Sequence, residues 1–109
     1  MNVSLKYVLT KMLSSLNGLI AFGAFSKGPI EFSTFYGTTT FDISKAGYTP
    51  ICLTRVSLNQ ALFHCYAQGL DSNANTATIG VARGTGSGTI TSLYIYITVL
   101  YIRSDFVAT

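Results

Sequence analysis

Charge is what this chain has least of. Only 10% of its 109 residues are Asp, Glu, Lys or Arg, while 49% are hydrophobic and mean hydropathy is +0.43. An ordinary domain carries roughly a quarter charged residues, so much of this surface must be uncharged. Such a surface belongs in a membrane or against copies of the same chain. Long hydrophobic runs are also missing: no uncharged apolar stretch approaches the roughly 20 residues of a spanning helix, and 93–102 is too short and too β-branched. A closed membrane barrel would need more strands than 109 residues normally supply. The balance favours self-association, with no membrane span.

Other scarcities exclude other functions. The seven basic residues are scattered singly between Lys6 and Arg103, forming no stripe, so no nucleic-acid partner is expected. Two cysteines, Cys52 and Cys65, make neither a zinc site nor a disulfide framework. Cys65 alternates with Ala61, Phe63 and Ala67, the pattern of a buried inert thiol, and a chain this size does not need a disulfide. The single histidine, His64, lies on the strand face opposite Cys65, because adjacent strand residues point to opposite sides. A catalytic pair of His64 with Cys65 is thereby excluded; Cys52 could approach His64 across strands, but nothing marks a third orienting group. Glu31, Asp42, Asp71 and Asp105 are far apart in sequence and on different predicted elements, so nothing favours a paired-carboxylate hydrolase. The glycines of "ARGTGSGT" (82–89) open a strand rather than a helix and lack the lysine–hydroxyl pair of a phosphate loop, which makes them a hairpin turn. The reading is a non-enzyme with no cofactor and no metal.

What the sequence does have is periodicity. Leu5, Leu9, Met12, Leu16 and Leu19 are spaced four, three, four and three, an a/d seam, and Asn17-Gly18 supplies a helix stop. Residues 1–18 are therefore read as a short helix. It is either packed on its own domain or, because the stripe is narrow and heptad-spaced, an oligomerising stalk. A secretory leader over 1–24 is the competing reading of this segment, weakened by Ser14, Ser15, Asn17 and Gly18 in what should be its apolar core.

From residue 19 to 109 the pattern is β. Candidate strands are 19–26, 29–36, 38–44, 50–57, 61–68, 75–83 and 89–103, separated by Lys27-Gly28-Pro29, Gly37, Lys45-Ala46-Gly47, Leu58-Asn59-Gln60, Gly69 to Asn73 and Gly84 to Gly88. Alternation places Phe41 and Ile43 inward against Thr40, Asp42 and Ser44, and Ala77, Ile79 and Val81 against Thr78 and Gly80. The predicted fold is mainly β: a small antiparallel sandwich, jelly-roll-like, preceded by the helix.

The last strand, "TSLYIYITVLYIR" (91–103), is apolar on both faces. Leu93, Ile95, Ile97 and Val99 are assigned to the core, and Tyr94, Tyr96 and Leu100 to a subunit interface. The reverse assignment is left open by the pattern. Tyrosine, seven copies with no tryptophan, suits a buried ring whose hydroxyl stays near water. The polar turns at Asp71, Asn73 and Asn75 and at Arg83 are the candidate receptor-facing loops, since binding residues gather on exposed turns of a rigid scaffold.

"FDISKAGYTPICLTRVSLN" (41–59) resembles the entry of a small β domain at the C-terminal ends of tail fibres and related adhesion proteins of phages and prophages of Gram-positive, often gut, bacteria. The matching pieces are Phe41 to Pro50, Ile51 to Leu53, and the closing Val99 to Arg103, so the resemblance covers residues 38 to 103. It implies a homotrimeric virion protein, made in the bacterial cytoplasm, whose partners are itself, other virion proteins and a bacterial cell-surface glycan. The alternatives are a virion assembly or decoration module without a ligand, and a secreted bacterial carbohydrate-binding protein.

Overall fold

The computed structural model describes residues 5–32, 35–84 and 89–106. One helix, α1 (Leu5–Ser15), precedes six strands: β1 (Ile20–Phe32), β2 (Tyr36–Asp42), β3 (Tyr48–Leu58), β4 (Phe63–Asp71), β5 (Thr76–Arg83) and β6 (Ile90–Arg103), followed by a 3-10 turn at Ser104–Phe106. The strands form two antiparallel three-stranded sheets, sheet A ordered β1-β6-β3 and sheet B ordered β2-β5-β4. Successive strands switch sheets at every step except the β4–β5 hairpin. This is the winding of a jelly roll with three strands in each sheet instead of four.

The mainly β, helix-preceded sandwich expected from the alternation is what forms, with one strand fewer. The segments 19–26 and 29–36 are not two strands around a turn at Gly28-Pro29. They are largely one strand, β1, whose register on β6 slips between Lys27 and Ile30. Proline lacks an N–H, and an edge strand tolerates that at a bulge. Gly37 is likewise not a separator: it pairs with Val81 inside β2, and a Cβ there would come within 2.9 Å of the Phe32 ring. The turn at Gly47 forms as expected, with φ of 81° and Tyr48 N–H donating to Lys45 O at 3.0 Å. The glycine-rich turn read at 84–88 lies, apart from Gly84, outside the described residues.

The sandwich core confirms the first assignment for β6. Leu93, Ile95, Ile97, Val99 and Tyr101 are buried, facing Ala77, Ile79 and Val81 of β5, with Phe41, Ile43, Phe32 and Phe63 closing the sides. Each such aliphatic side chain contributes about 1.5–3 kcal/mol by leaving water. The sheets are joined at one end by Phe32 and Phe63, stacked edge to face at 5.4 Å. At the other end the Tyr101 hydroxyl donates to Ile43 O at 2.6 Å.

The helix does not lie on this body. Every described side chain of α1 is exposed, Leu5 at 72%, and the chain spans 75 Å with a radius of gyration of 19.4 Å. A compact chain of this length would have a radius near ~13 Å. Gly18, at φ of 71°, ends the helix in the left-handed conformation glycine accepts. The carbonyls freed there are taken up by the sandwich: Arg103 Nη1 donates to Asn17 O at 2.6 Å, Tyr48 Oη to Gly18 O at 2.7 Å, and Arg103 N–H to Leu19 O at 2.8 Å. Leu19 therefore stands beyond the helix, half-buried. The seam expected to run from Leu5 to Leu19 stops at Leu16.

Asp42 shows how the turn after β2 is locked. Ser44 donates to its Oδ1 through both backbone N–H (3.0 Å) and hydroxyl (2.7 Å), which holds the carboxyl below its ordinary 3.8. A depressed folded value means the contribution is complete above the unfolded pKa and is lost as pH falls through the folded one. Below pH 4 the wild-type thermal midpoint should thus fall faster than that of Asp42→Asn, whose side chain does not titrate. Parallel slopes would show that the turn carries no such linkage.

Candidate functional site

Strand pairing assigns each outward residue to a row. On sheet A the outward rows run Ile20–Ile102–Thr49, Phe22–Leu100–Cys52, Ala24–Thr98–Arg55 and Ser26–Tyr96–Ser57 across β1, β6 and β3. Two of the four, those of Ile20 and Phe22, are mainly apolar, with Phe22 exposed at 61%, and Tyr96 adds an aromatic ring to a third. The one charge in these rows, Arg55, sits on the edge strand. It borders a shallow depression of about 370 Å³ lined also by Ala24, Ser26, Tyr96 and Thr98. Of the three β6 residues assigned to an interface, Tyr96 is exposed and Tyr94 and Leu100 are half-buried, and all three point away from the core. Tyr94 folds back onto β1, where a Cβ on Gly28 would lie 2.8 Å from its Cγ.

Four members of the expected helical seam, Leu5, Leu9, Met12 and Leu16, are exposed, joined by Val8 and Leu13. At 100° per residue these six cover an arc of roughly 140°, the width of a stripe that packs against something. The strands of the sandwich core draw none of their buried residues from this stripe.

Sheet B is different. Its outward rows are Tyr36–Ala82–His64, Thr38–Gly80–Tyr66, Thr40–Thr78–Gly69 and Asp42–Thr76–Asp71. The central strand shows only small residues outward, and tyrosines from the two flanking strands meet above it. The Tyr66 hydroxyl hydrogen-bonds Tyr36, which together with partial desolvation pushes its phenol above the ordinary value. Tyr36 Oη in turn donates to Gln68 Oε1 at 3.1 Å.

The candidate loop residues do not form one site. Asp71 and Arg83 lie at opposite ends of the β4–β5 hairpin, paired with Thr76 and Phe63 respectively, a separation of about 24 Å at ~3.4 Å per residue. Most of them also have duties in the fold. Asp71 Oδ1 accepts the N–H groups of Asn73 and Ala74 at 2.9 and 3.0 Å. Asn75 takes a φ of 56° and its carbonyl receives Ile43 N–H at 2.9 Å. The Arg83 guanidinium sits 5.0 Å over the Phe63 ring. Asn73 alone projects an exposed side chain with no such role among the described residues.

The tertiary fold does bring Asp42 and Asp71 into one row, two strands apart. A glycosidase pair needs one carboxyl held protonated, and the Ser44 hydrogen bonds pull Asp42 the other way. Among the described residues no group of three or more His, Cys, Asp or Glu could hold a metal, and no helix is long and apolar enough to cross a membrane. Both cysteines are free, Cys52 exposed on sheet A and Cys65 half-buried on the inner side of sheet B, where burial raises its thiol pKa.

Tyr36, Tyr66 and Gln68 were not singled out from the sequence. Alternation along β4 does place His64, Tyr66 and Gln68 together, but the β2 partner comes from a non-local pairing that no local pattern announces. No known protein family, curated protein or solved structure matches this chain.

Proposed function

We propose that the chain is a homotrimeric attachment module of the phage or prophage tail-fibre type, a stalk helix carrying a sandwich head that binds a bacterial surface glycan. The observation that carries this reading is the exposed apolar stripe of α1, on a helix that stands off the sandwich and, among the described residues, is anchored at its C-terminal end. A second apolar surface, the outward face of sheet A, adds to it. Together they account for a chain that is nearly half hydrophobic and only 10% charged. The number three comes from the resemblance of residues 38–103 to tail-fibre head domains, as does the virion location. Residues 20–24, within the stretch also readable as a secretory leader, pair with β6 from Thr98 to Ile102, which supports their serving the head. A ligand-free assembly module would show the same apolar surfaces. The aromatic, hydrogen-bonded face of sheet B favours attachment.

Native mass spectrometry tests the assembly, with a particle of about 35 kDa expected from three chains of 11.7 kDa. Thiol labelling tests which surface is buried. In the assembled protein Cys52, in the row of Phe22 and Leu100, should react slowly; in a dissociated variant it should react fast, while Cys65 stays slow in both. A Cys52 that labels equally fast in both states would remove sheet A from the interface.

A further inference from the structure

Opposite the apolar face of sheet A, the outward face of sheet B has the features of a ligand platform. Tyr66 does not stand up from the sheet. A Cβ on Gly80 would clash with the hydroxyl edge of its ring, 2.6 Å from Cε2 and 2.7 Å from the hydroxyl oxygen, so the ring lies over the bare backbone of β5. Its outer side is open, with 42% of the residue exposed. The ring is also tethered: its hydroxyl hydrogen-bonds Tyr36, which donates to the amide oxygen of the exposed Gln68. His64 and Thr38 occupy the same two rows. The result is an immobilised aromatic surface ringed by neutral donors and acceptors, on a strand of small residues that leaves room above it.

We propose that this surface is the receptor contact, a shallow platform for a neutral pyranose sugar. The apolar C–H side of the sugar ring stacks on Tyr66, and its hydroxyls bond the Gln68 amide, the Tyr36 hydroxyl and Thr38. Tyrosine rings with a wet polar edge suit such amphipathic ligands, and a few placed polar groups set orientation. Charge selects the class. The platform residues Tyr36, Thr38, Tyr66 and Gln68 are uncharged, and the charged residues in the outward rows, Asp42 and Asp71, are both carboxylates, so the lining suits a neutral sugar. Position agrees as well. The tyrosine rows belong to the end of the sandwich remote from α1, and the carboxylate row to the end beside it, because β1 begins next to the helix and Ile43 beside Asp42 meets Tyr101 there. A stalk at one end would hold the platform outward.

This site rests on the attachment reading, and the test separates the two. Wild-type protein, Tyr66→Ala, Gly80→Ala and Asn73→Ala are applied to a printed array of neutral hexose and N-acetylhexosamine oligosaccharides alongside sialylated and uronic-acid ones, and to whole bacterial cells with and without periodate oxidation of their sugars. Neutral glycans should bind the wild type. Tyr66→Ala should weaken that binding at least about tenfold, or 1.4 kcal/mol. Gly80→Ala, which lifts the ring without deleting it, should weaken it too, while Asn73→Ala should not. Unchanged circular dichroism and native mass certify each variant. Amide shifts of the wild type titrated with the best array glycan give an independent reading if a variant fails to fold: Tyr66, Gln68 and Gly80 should move, and residues 71–75 should not. Undiminished binding by Tyr66→Ala, or shifts confined to the 71–75 loop, overturns the site and leaves attachment standing. Preference for acidic glycans, or cell binding that survives periodate and so points to a protein receptor, also overturns it. A wild type that binds neither glycans nor cells overturns the attachment reading and the site with it.

Discussion

Tyr101→Ala should lower the thermal unfolding midpoint by roughly 15–30 °C, the largest stability loss expected of any single change in the sandwich. Truncating a buried aromatic costs about 3–5 kcal/mol, and each kcal/mol moves the midpoint of a domain this size by about 4–8 °C. Tyr101 is fully buried, packs edge to face with Tyr48 at 6.5 Å, and fills the space over Gly23, where a Cβ would meet its ring at 2.9 Å. Its hydroxyl donates across the sandwich from β6 to the carbonyl of Ile43. The alanine variant therefore loses packing and also strands a buried acceptor, which carries its own penalty. Tyr101→Phe separates the two effects, since it removes only the cross-sheet hydrogen bond and should cost about 1 kcal/mol. Calorimetry on both variants decides the matter. A shift under about 5 °C for alanine would mean that the sheets are not clamped at this end.

The second large effect concerns assembly. Leu9→Glu with Met12→Glu should convert the proposed 35 kDa trimer into a monomer of 11.7 kDa while leaving the sandwich folded. Both residues lie in the exposed stripe of α1, and two carboxylates per chain brought together in a helical bundle repel one another and lose their hydration. An isolated helix of 11 residues is marginal in water, so α1 should also lose helicity once its partners are gone. The β-sheet signal and the melt of the head should be preserved, because among the described residues the buried core of the sandwich includes none from the helix. Size-exclusion chromatography with light scattering, beside circular dichroism, reads both. A variant particle of unchanged mass would move the assembly surface from α1 to sheet A. A wild type that is itself monomeric would end the trimer proposal.

The two effects have different origins in the chain. In sequence Tyr101 is simply one more tyrosine of the apolar last strand, beside Tyr94 and Tyr96, although its odd position sets it with Val99 and Ile97. Tyr94 and Tyr96 do face outward, and Tyr101 is core. The heptad spacing of Leu5, Leu9, Met12 and Leu16 was legible because helical period is a local property. Spacing alone adds Leu19 to the seam because it does not reveal where a helix ends; α1 stops at Ser15 and the chain turns through Gly18 before Leu19. Glycine and proline misled in the strands for a related reason. Pro29 and Gly37 signal turns in isolation, yet an edge strand absorbs a proline at a bulge and the Phe32 ring makes use of the missing side chain at Gly37.

The amino-acid sequence alone determined the class of the fold, the inward residues of β2, β5 and β6, the helix and its stop, and the shortage of charge on which the assembly proposal draws. Each of these follows from periods of two or 3.6 residues or from composition, which need no knowledge of what lies across the sandwich. Only the tertiary structure decided that two segments merge into one strand and that the Asp71 and Arg83 loops sit at opposite ends. The same holds for Tyr36 meeting Tyr66 and Gln68 over Gly80. These depend on β2 pairing with β5 and on β6 lying between β1 and β3, contacts between residues dozens of positions apart. Backbone hydrogen bonding in a sheet is nearly indifferent to side-chain identity, so the choice among strand orders falls to the packing of the whole core, and no short stretch of the chain records it.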